Sequence, residues 1–251
     1  MRIELPVSVV GIGLLSPAGV GAAGAVGGRP GPVPGFRPRA YIKDRKSLKL
    51  MARGVKLGVS AVHLALAGVE DWQAVPPERR ALFVGASPQL GDPDDLRPAL
   101  ERAMADGTFS MTRFAEEGYP LIHPLWLLRG LSNNVLGFAS AAQDLQGVNS
   151  NYCDGARGGW TALVEGARAV AEGRADLAIA GGADSFIGAE AYFGGRACGE
   201  GAAFVVFAPA PAGAPPLVFD QGELDPEEAE LGMLGAATWP VAFARHRLRL
   251  G

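Results

Sequence analysis

The stretch from Gly147 to Asp184, GVNSNYCDGARGGWTALVEGARAVAEGRADLAIAGGAD, constrains this chain more than any other. Val148 to Tyr152 can run extended. Asp154-Gly155-Ala156-Arg157-Gly158-Gly159 then makes an abrupt corner with almost no side-chain bulk. Trp160, Leu163, Val164, Ala167 and Val170 recur at helical spacing and give one apolar face. Gly173 stops that helix, and Leu177-Ala178-Ile179-Ala180 is a short apolar run that suits a buried strand. A strand that enters such a corner at a helix N-terminus can mount a nucleophile for acyl transfer. The corner lifts one side chain clear, and the unpaired N–H groups and dipole of the helix stabilise an anion there. The same pattern also serves as a plain strand–helix–strand unit with a tight turn.

The wording of the stretch resembles the nucleophile region of the β-ketoacyl synthases of the thiolase superfamily. In that family Gly-Pro-Ser leads into a strand, Ala-Cys-Ser/Thr-Ser-Gly forms the corner, and the helix runs on to Gly-Asp-Ala-Asp and Ala-Gly-Gly. Gly147 stands for the opening glycine, and Gly173-Arg174-Ala175-Asp176 with Ala180-Gly181-Gly182 stands for the ending. Counting from either side places the nucleophile position on Ala156, where the family cysteine is absent, and Arg157-Gly158-Gly159 replaces the residues that follow it. Alanine has no nucleophilic atom, so the resemblance implies that a covalent acyl-enzyme cannot form there. Cys153 lies three residues earlier. Three extended residues span roughly 10 Å, so its sulfur is expected away from the family's site, as a buried structural thiol.

The resemblance extends along residues 5–208. Gly11-Ile12-Gly13 with Ser16-Pro17-Ala18-Gly19 looks like the family's first strand and its closing turn. The same glycines lack the GxGxxG frame of a dinucleotide site, and no cofactor is expected. Residues 19–38, rich in Gly, Ala and Pro, read as a loop where ketosynthases have a helix, so that helix is expected to be eroded or very short. Ser47 to Leu66 reads as one amphipathic helix, with Leu48, Met51, Val55, Val59, Val62 and Leu66 on a stripe and Ser47 or Asp44 as cap. Together with Ala40-Tyr41-Ile42 it matches the family's second helix. Asn134 to Gly137 resembles the Asn-Met-x-x-Gly helix start beside the nucleophile corner, and Gly199-Glu200-Gly201-Ala202 resembles the Gly-Asp/Glu-Gly-Ala turn and its strand.

Other features have simple expectations. Arg80 to Gly85 reads as a strand, Asp92 to Asp106 as a surface helix with an acidic start, and Trp126, Leu127 and Leu128 as core or interface. The adjacent acids Asp94-Asp95 and Glu116-Glu117 point in different directions on a helix and are expected to be solvated rather than catalytic. Pro209 to Pro216 reads as a linker, Leu217 to Phe219 as a last strand and Pro226 to Leu234 as an acidic helix. Arg245, His246, Arg247 and Arg249 read as a solvated basic end. A net charge of −3 argues against a nucleic-acid surface. Two cysteines, Cys153 and Cys198, suit a reducing cytoplasm, and the three histidines, His63, His123 and His246, lie too far apart for metal-ligand spacing. No apolar run approaches a membrane span, and no signal peptide is visible.

These readings imply one α/β domain over 1–251: a single thiolase-like N-terminal half, with a mixed sheet flanked by helices and a divergent tail over 209–251. The family's C-terminal half carries its catalytic histidines and a lysine, and none of the three histidines here occupies a matching position. The implied function is that of an inactive chain-length-factor-like partner of an active β-ketoacyl-ACP synthase in fatty acid, polyene or polyketide synthesis. The partner would be a full-length ketosynthase or a second copy of the chain, with acyl carrier protein as a further candidate. One half alone is expected to expose an apolar face, which marks an interface, with Gly147–Tyr152 and Leu125–Leu136 as the contact. The alternative is an acyltransferase or decarboxylase working through another residue such as Cys153, and a third is a degenerate remnant with a scaffolding role.

Overall fold

A computed structural model describes residues 2–88 and 95–250. Its strands in chain order are β1 (Arg2–Leu5), β2 (Val7–Ser16), β3 (Gly19–Val20), β4 (Arg80–Gly85), β5 (Asn149–Tyr152), β6 (Leu177–Ser185), β7 (Glu200–Pro209) and β8 (Leu217–Asp220). The helices that shape the fold are α1 (Arg45–Leu50), α2 (Arg53–Ala67), α3 (Arg97–Ala103), α4 (Asn134–Gln143), α5 (Gly155–Ala171) and α6 (Thr238–Leu250). Six strands form one mixed sheet in the order β3-β2-β7-β6-β4-β5, and β1 pairs with β8 in a separate ribbon. β4 runs parallel to both β5 and β6, whereas β7 is antiparallel to β2 and β6. The parallel strands thus end together at one edge of the sheet, and the corner before α5 lies at that edge.

The central strands are apolar on both sides because both sides are covered. In β4, Leu82 and Val84 join the core under α2 and α4, while Ala81 and Phe83 join the core under α5. β7 repeats the alternation, with Phe204 and Val206 on the first side and Val205 and Phe207 on the second. Helix α2 lies directly on β2 through two glycines: a Cβ at Gly11 would stand 2.3 Å from the Ala65 carbonyl oxygen, and one at Gly13 would stand 1.9 Å from that of Ala61. That packing, and not a phosphate, accounts for the Gly-x-Gly pair.

The expected helix over Ser47–Leu66 is two helices. Met51 and Ala52 are extended, with ψ of 126° and 170°, and break it. Met51 is buried, so the break turns an apolar side chain inward while keeping the stripe continuous. Of the two candidate caps, Asp44 is the one used, accepting from the N–H groups of Lys46 and Ser47. The eroded helix near residue 20 is a short 3-10 turn, Gly21–Ala25. The surface helix expected over Asp92–Asp106 is shorter. Its acidic start, Asp92 and Asp94, lies outside the described residues, and the chain leaves the helix at Met104 for a small hairpin, Met104–Ala105 with Thr108–Phe109. Asp106 and Gly107, with φ of 48° and 76°, form the turn and stop the helix.

The segment after Pro209 corrects the reading most. The expected strand forms as β8, but the basic end is solvated only in part: Arg247 and Arg249 are exposed, His246 is half-buried and Arg245 is buried. They lie on α6, which packs against β7, β2 and α5. Phe219 of β8 stacks on Phe243 of α6 at 5.5 Å and meets the edge of Trp160 of α5 at 6.0 Å. Arg245 is fully buried, pairs with Glu227 at 2.6 Å and donates to the Gly27 carbonyl. Arg249 pairs with the same glutamate and donates to the Ala25 carbonyl. A run of cations is solvated unless a buried acid and carbonyls answer it, and here Glu227 and the loop over residues 25–27 do. The apolar face expected on a lone half is therefore not open on this side, because β8 and α6 cover α5. The acidic helix expected over Pro226–Leu234 shortens to Glu228–Leu231.

Candidate functional site at the corner before helix α5

Strand β5 ends at Tyr152, and the chain turns through Cys153 and Asp154 into Gly155, whose φ of 51° needs glycine. The Ala86 N–H donates to the Tyr152 carbonyl at 2.9 Å, and the Gly155 N–H donates to the Ala86 carbonyl at 3.3 Å. The corner is thereby tied to the end of β4. Gly158 and Gly159 do not serve a nucleophile; they let the helix descend onto the strands. A Cβ at Gly158 would lie 2.4 Å from the Tyr152 oxygen, and one at Gly159 would lie 2.1 Å from the Ala236 oxygen.

Ala156, the position that the resemblance assigns to the nucleophile, is the second residue of α5 and is half-buried. Its methyl group can neither attack a carbonyl nor exchange a proton. The Asp154 side chain does not cap the helix, and it pairs instead with Arg157 at 3.5 Å in the open. Cys153 was expected to be buried and is exposed. It sits past the last ladder residue of an edge strand, where among the described residues no further strand flanks it. Its sulfur accepts from Asn151 Nδ2 at 3.5 Å and lies 4.0 Å from the Ser87 carbonyl oxygen. Cys198 is the buried cysteine, and burial raises its thiol pKa.

The histidines do not gather here. His63 is on α2, across the sheet from α5; His123 accepts from the Leu125 N–H in a loop; and His246 is on α6 beside Phe243. Among the described residues no three His, Cys, Asp or Glu side chains come together as metal ligands. Asp95 pairs with Arg129, Glu117 pairs with Arg102 and Arg113, and Glu116 is exposed.

Two buried acids at this end of the sheet escaped the sequence reading as a site. Asp184, 1% exposed, accepts from the Ser87 hydroxyl and from the Ala236 N–H at 2.8 Å. Burial pushes its pKa up to about 7, against the two hydrogen bonds, which lower it. Glu200 is also fully buried but receives a bidentate Arg53, at 2.8 and 2.5 Å, with the Val33 N–H and the Ser185 hydroxyl completing its shell. Their signal in the sequence was an acid continuing a fully apolar strand. Asp184 fastens the turn Gly235–Ala237 over Gly159 and Gly182, and Glu200 fastens the loop at Val33. Both positions therefore hold structure.

Around this core the surface divides in two. Leu121, Leu125 and Leu131 are exposed, Leu127 is 72% exposed, and Trp126 is half-buried, so this segment is not core. On another side Arg37, Arg39, Arg45, Lys46, Lys49 and Lys56 surround a groove of about 790 Å³ beside Phe36. No helix among the described residues is long and apolar enough to cross a membrane.

No protein-family model and no curated protein matches the sequence. Solved structures do. The chain superposes on the ishigamide ketosynthase/chain length factor with a TM-score of 0.64 at 19% identity, covering 82% of this chain and 59% of that one. It matches a β-ketoacyl synthase from Burkholderia phymatum with a TM-score of 0.62 at 19% identity, again over 82% and 59% of the two chains. A ketosynthase in complex with its chain length factor, from Xenorhabdus doucetiae, matches with a TM-score of 0.57 at 15% identity, over 82% and 59%. The chain spans about 60% of the length of these structures. A mixed α/β sheet with helices on both faces, matched over this share of each structure, gives the chain the ketosynthase-like fold of a single thiolase-type half.

Proposed function

We propose that this chain is a non-condensing, chain-length-factor-like partner of an active ketosynthase, in fatty acid, polyene or polyketide synthesis. The observation that carries the reading is Ala156 at the tip of α5, a methyl group where a condensing enzyme of this fold would hold a thiol. The separation of the three histidines from the corner supports it, because without a neighbouring base no proton could be moved there. Residues 5–208 are the ketosynthase-like part in this reading, and the segment from 209 closes it.

The proposed contact is the outer edge of the sheet. Among the described residues β5 is an edge strand, paired on one side only, and an edge of this kind accepts a strand from another chain. The exposed leucines of 121–131 would be buried against the same partner. A full-length ketosynthase is the favoured partner over a second copy, since a pair of these chains would hold no nucleophile at either corner. The basic groove beside Phe36 suits an acidic protein such as acyl carrier protein. A cytoplasmic location accompanies this reading.

One observation favours the alternative: Cys153 is exposed and lies near Ser87 at the ends of the parallel strands. Co-purification from the native host, with acyl loading of the isolated chain followed by mass spectrometry, separates the two. Recovery with a ketosynthase, reduced by Leu127→Asp, and no acyl adduct is the expected result. An acyl mass shift on the isolated chain that disappears in Cys153→Ala overturns it in favour of an enzyme.

A further inference from the structure

A groove of about 420 Å³ lies between residues 41–47, α2 and the C-terminal part of α4. It is across the sheet from the Ala156 corner, and the proposed function makes no use of it. Its size falls within the range of small-molecule sites, about 300–1,000 Å³. Its floor is apolar, with Ile42, Met51 and Val59 buried and Phe138 beside them. Its polar groups are mostly donors. Gln143 Nε2 lies 3.4 Å from His63 Nδ1. The Gln143 carboxamide engages Nδ1, which leaves Nε2 as the ring nitrogen for a ligand. Among the described residues His63 Nε2 and the Lys43 ammonium have no hydrogen-bond or ion-pair partner. Asp44 is on the rim but is occupied at the start of α1, accepting from the N–H groups of Lys46 and Ser47 at 2.9 and 3.3 Å and from the Ser47 hydroxyl.

We propose that this groove binds a small monocarboxylate with an apolar body. The carboxylate takes the Lys43 ammonium and the His63 Nε2–H, and the body lies on Met51, Val59 and Phe138. A single negative charge matches the donors at hand, and an apolar body matches the floor. An amine would meet two donors and the occupied Asp44.

The test is an NMR titration of the full chain with hexanoate, hexanol and hexylamine, following the imidazole signals. Only three histidines are present, so His63→Gln identifies the reporting ring. The expected result is a saturable shift of His63 alone with hexanoate, at least about tenfold weaker binding of hexanol, and no shift with hexylamine. Lys43 is exposed, so Lys43→Met should leave the fold intact; it should weaken hexanoate about tenfold and leave hexanol unchanged. No saturable shift at millimolar hexanoate, equal binding of hexanol and hexanoate, or hexanoate binding indifferent to Lys43→Met overturns the proposal.

Discussion

Asp184 and Glu200 stand on neighbouring strands at the same end of the sheet, and both are shut away from water. Glu200 is answered by a cation, Arg53, whose far side reaches solvent at 41% exposure. Among the described residues Asp184 is answered only by a hydroxyl and a backbone N–H. The difference shows two ways of holding a carboxyl in a core. One supplies the carboxyl with a cation, and the other leaves the group free to take up a proton. Neither arrangement places the acid where a substrate would need it.

The sharpest way to break this comparison is pH. Asp184 has a folded pKa of about 7 against an unfolded value of 3.8, so between these pH values the native state binds the extra proton. Stability is full near pH 4, falls as the pH rises to about 7, and is level above that. Denaturant unfolding across this window should show a loss on the order of 4 kcal/mol from this group. Asp184→Asn should abolish that loss and unfold at higher denaturant at pH 8. Parallel pH curves for the two proteins would mean that Asp184 takes up no extra proton on folding.

The next largest effect tests the other acid. Arg53→Met leaves Glu200 buried beside a hydroxyl and one amide, and should cost about 3 kcal/mol. Glu200→Gln in the same chain should recover much of it. If the single change costs no more than a surface pair, Glu200 has another source of charge balance.

A smaller effect is expected at the seat of the turn that Asp184 holds. Gly159→Ala drives a methyl group towards the Ala236 oxygen and should cost about 2 kcal/mol. A neutral result would show that the turn is free to lift. The smallest effect belongs to Asp44, an exposed acid whose pKa is lowered by the Ser47 hydroxyl and then by the Lys46 amide. Its contribution is present above pH 3.8 and disappears as the pH falls through the folded value, the reverse of Asp184. Asp44→Ala should lower the melting temperature less than Gly159→Ala does, and its deficit should vanish in acid.

Much of the fold was legible in the residues because its signals are local. The run from Gly147 to Asp184 is a short extended stretch, a stripe of helical period and a continuous apolar run, separated by small residues, and it folds as strand, helix and strand. Arg80 to Gly85 and Glu200 to Phe207 are equally plain. Three things were not legible. The break at Met51–Ala52 interrupts a perfect stripe without a glycine or proline. The exposure of Cys153 depends on β5 being an edge, which is a matter of sheet order. The burial of Arg245 depends on Glu227, which lies in a separate loop. The strand-to-helix corner at Ala156 was legible as a position, but the acids behind it were not. An apolar strand ending in an acid gives no sign of whether a guanidinium or a proton will balance it.

The ribbon of β1 and β8 joins residues far apart in the chain, Arg2 opposite Asp220 and Leu5 opposite Leu217. During synthesis β1 emerges early and must wait for its partner until nearly all the intervening sequence has been made. Helix α6, which shields α5, emerges later still. Until residues 217–250 have been made, a nascent chain therefore carries an unshielded α5 and an unpaired β1. Its demand for chaperones, or for a partner already at hand, should be greatest in that interval.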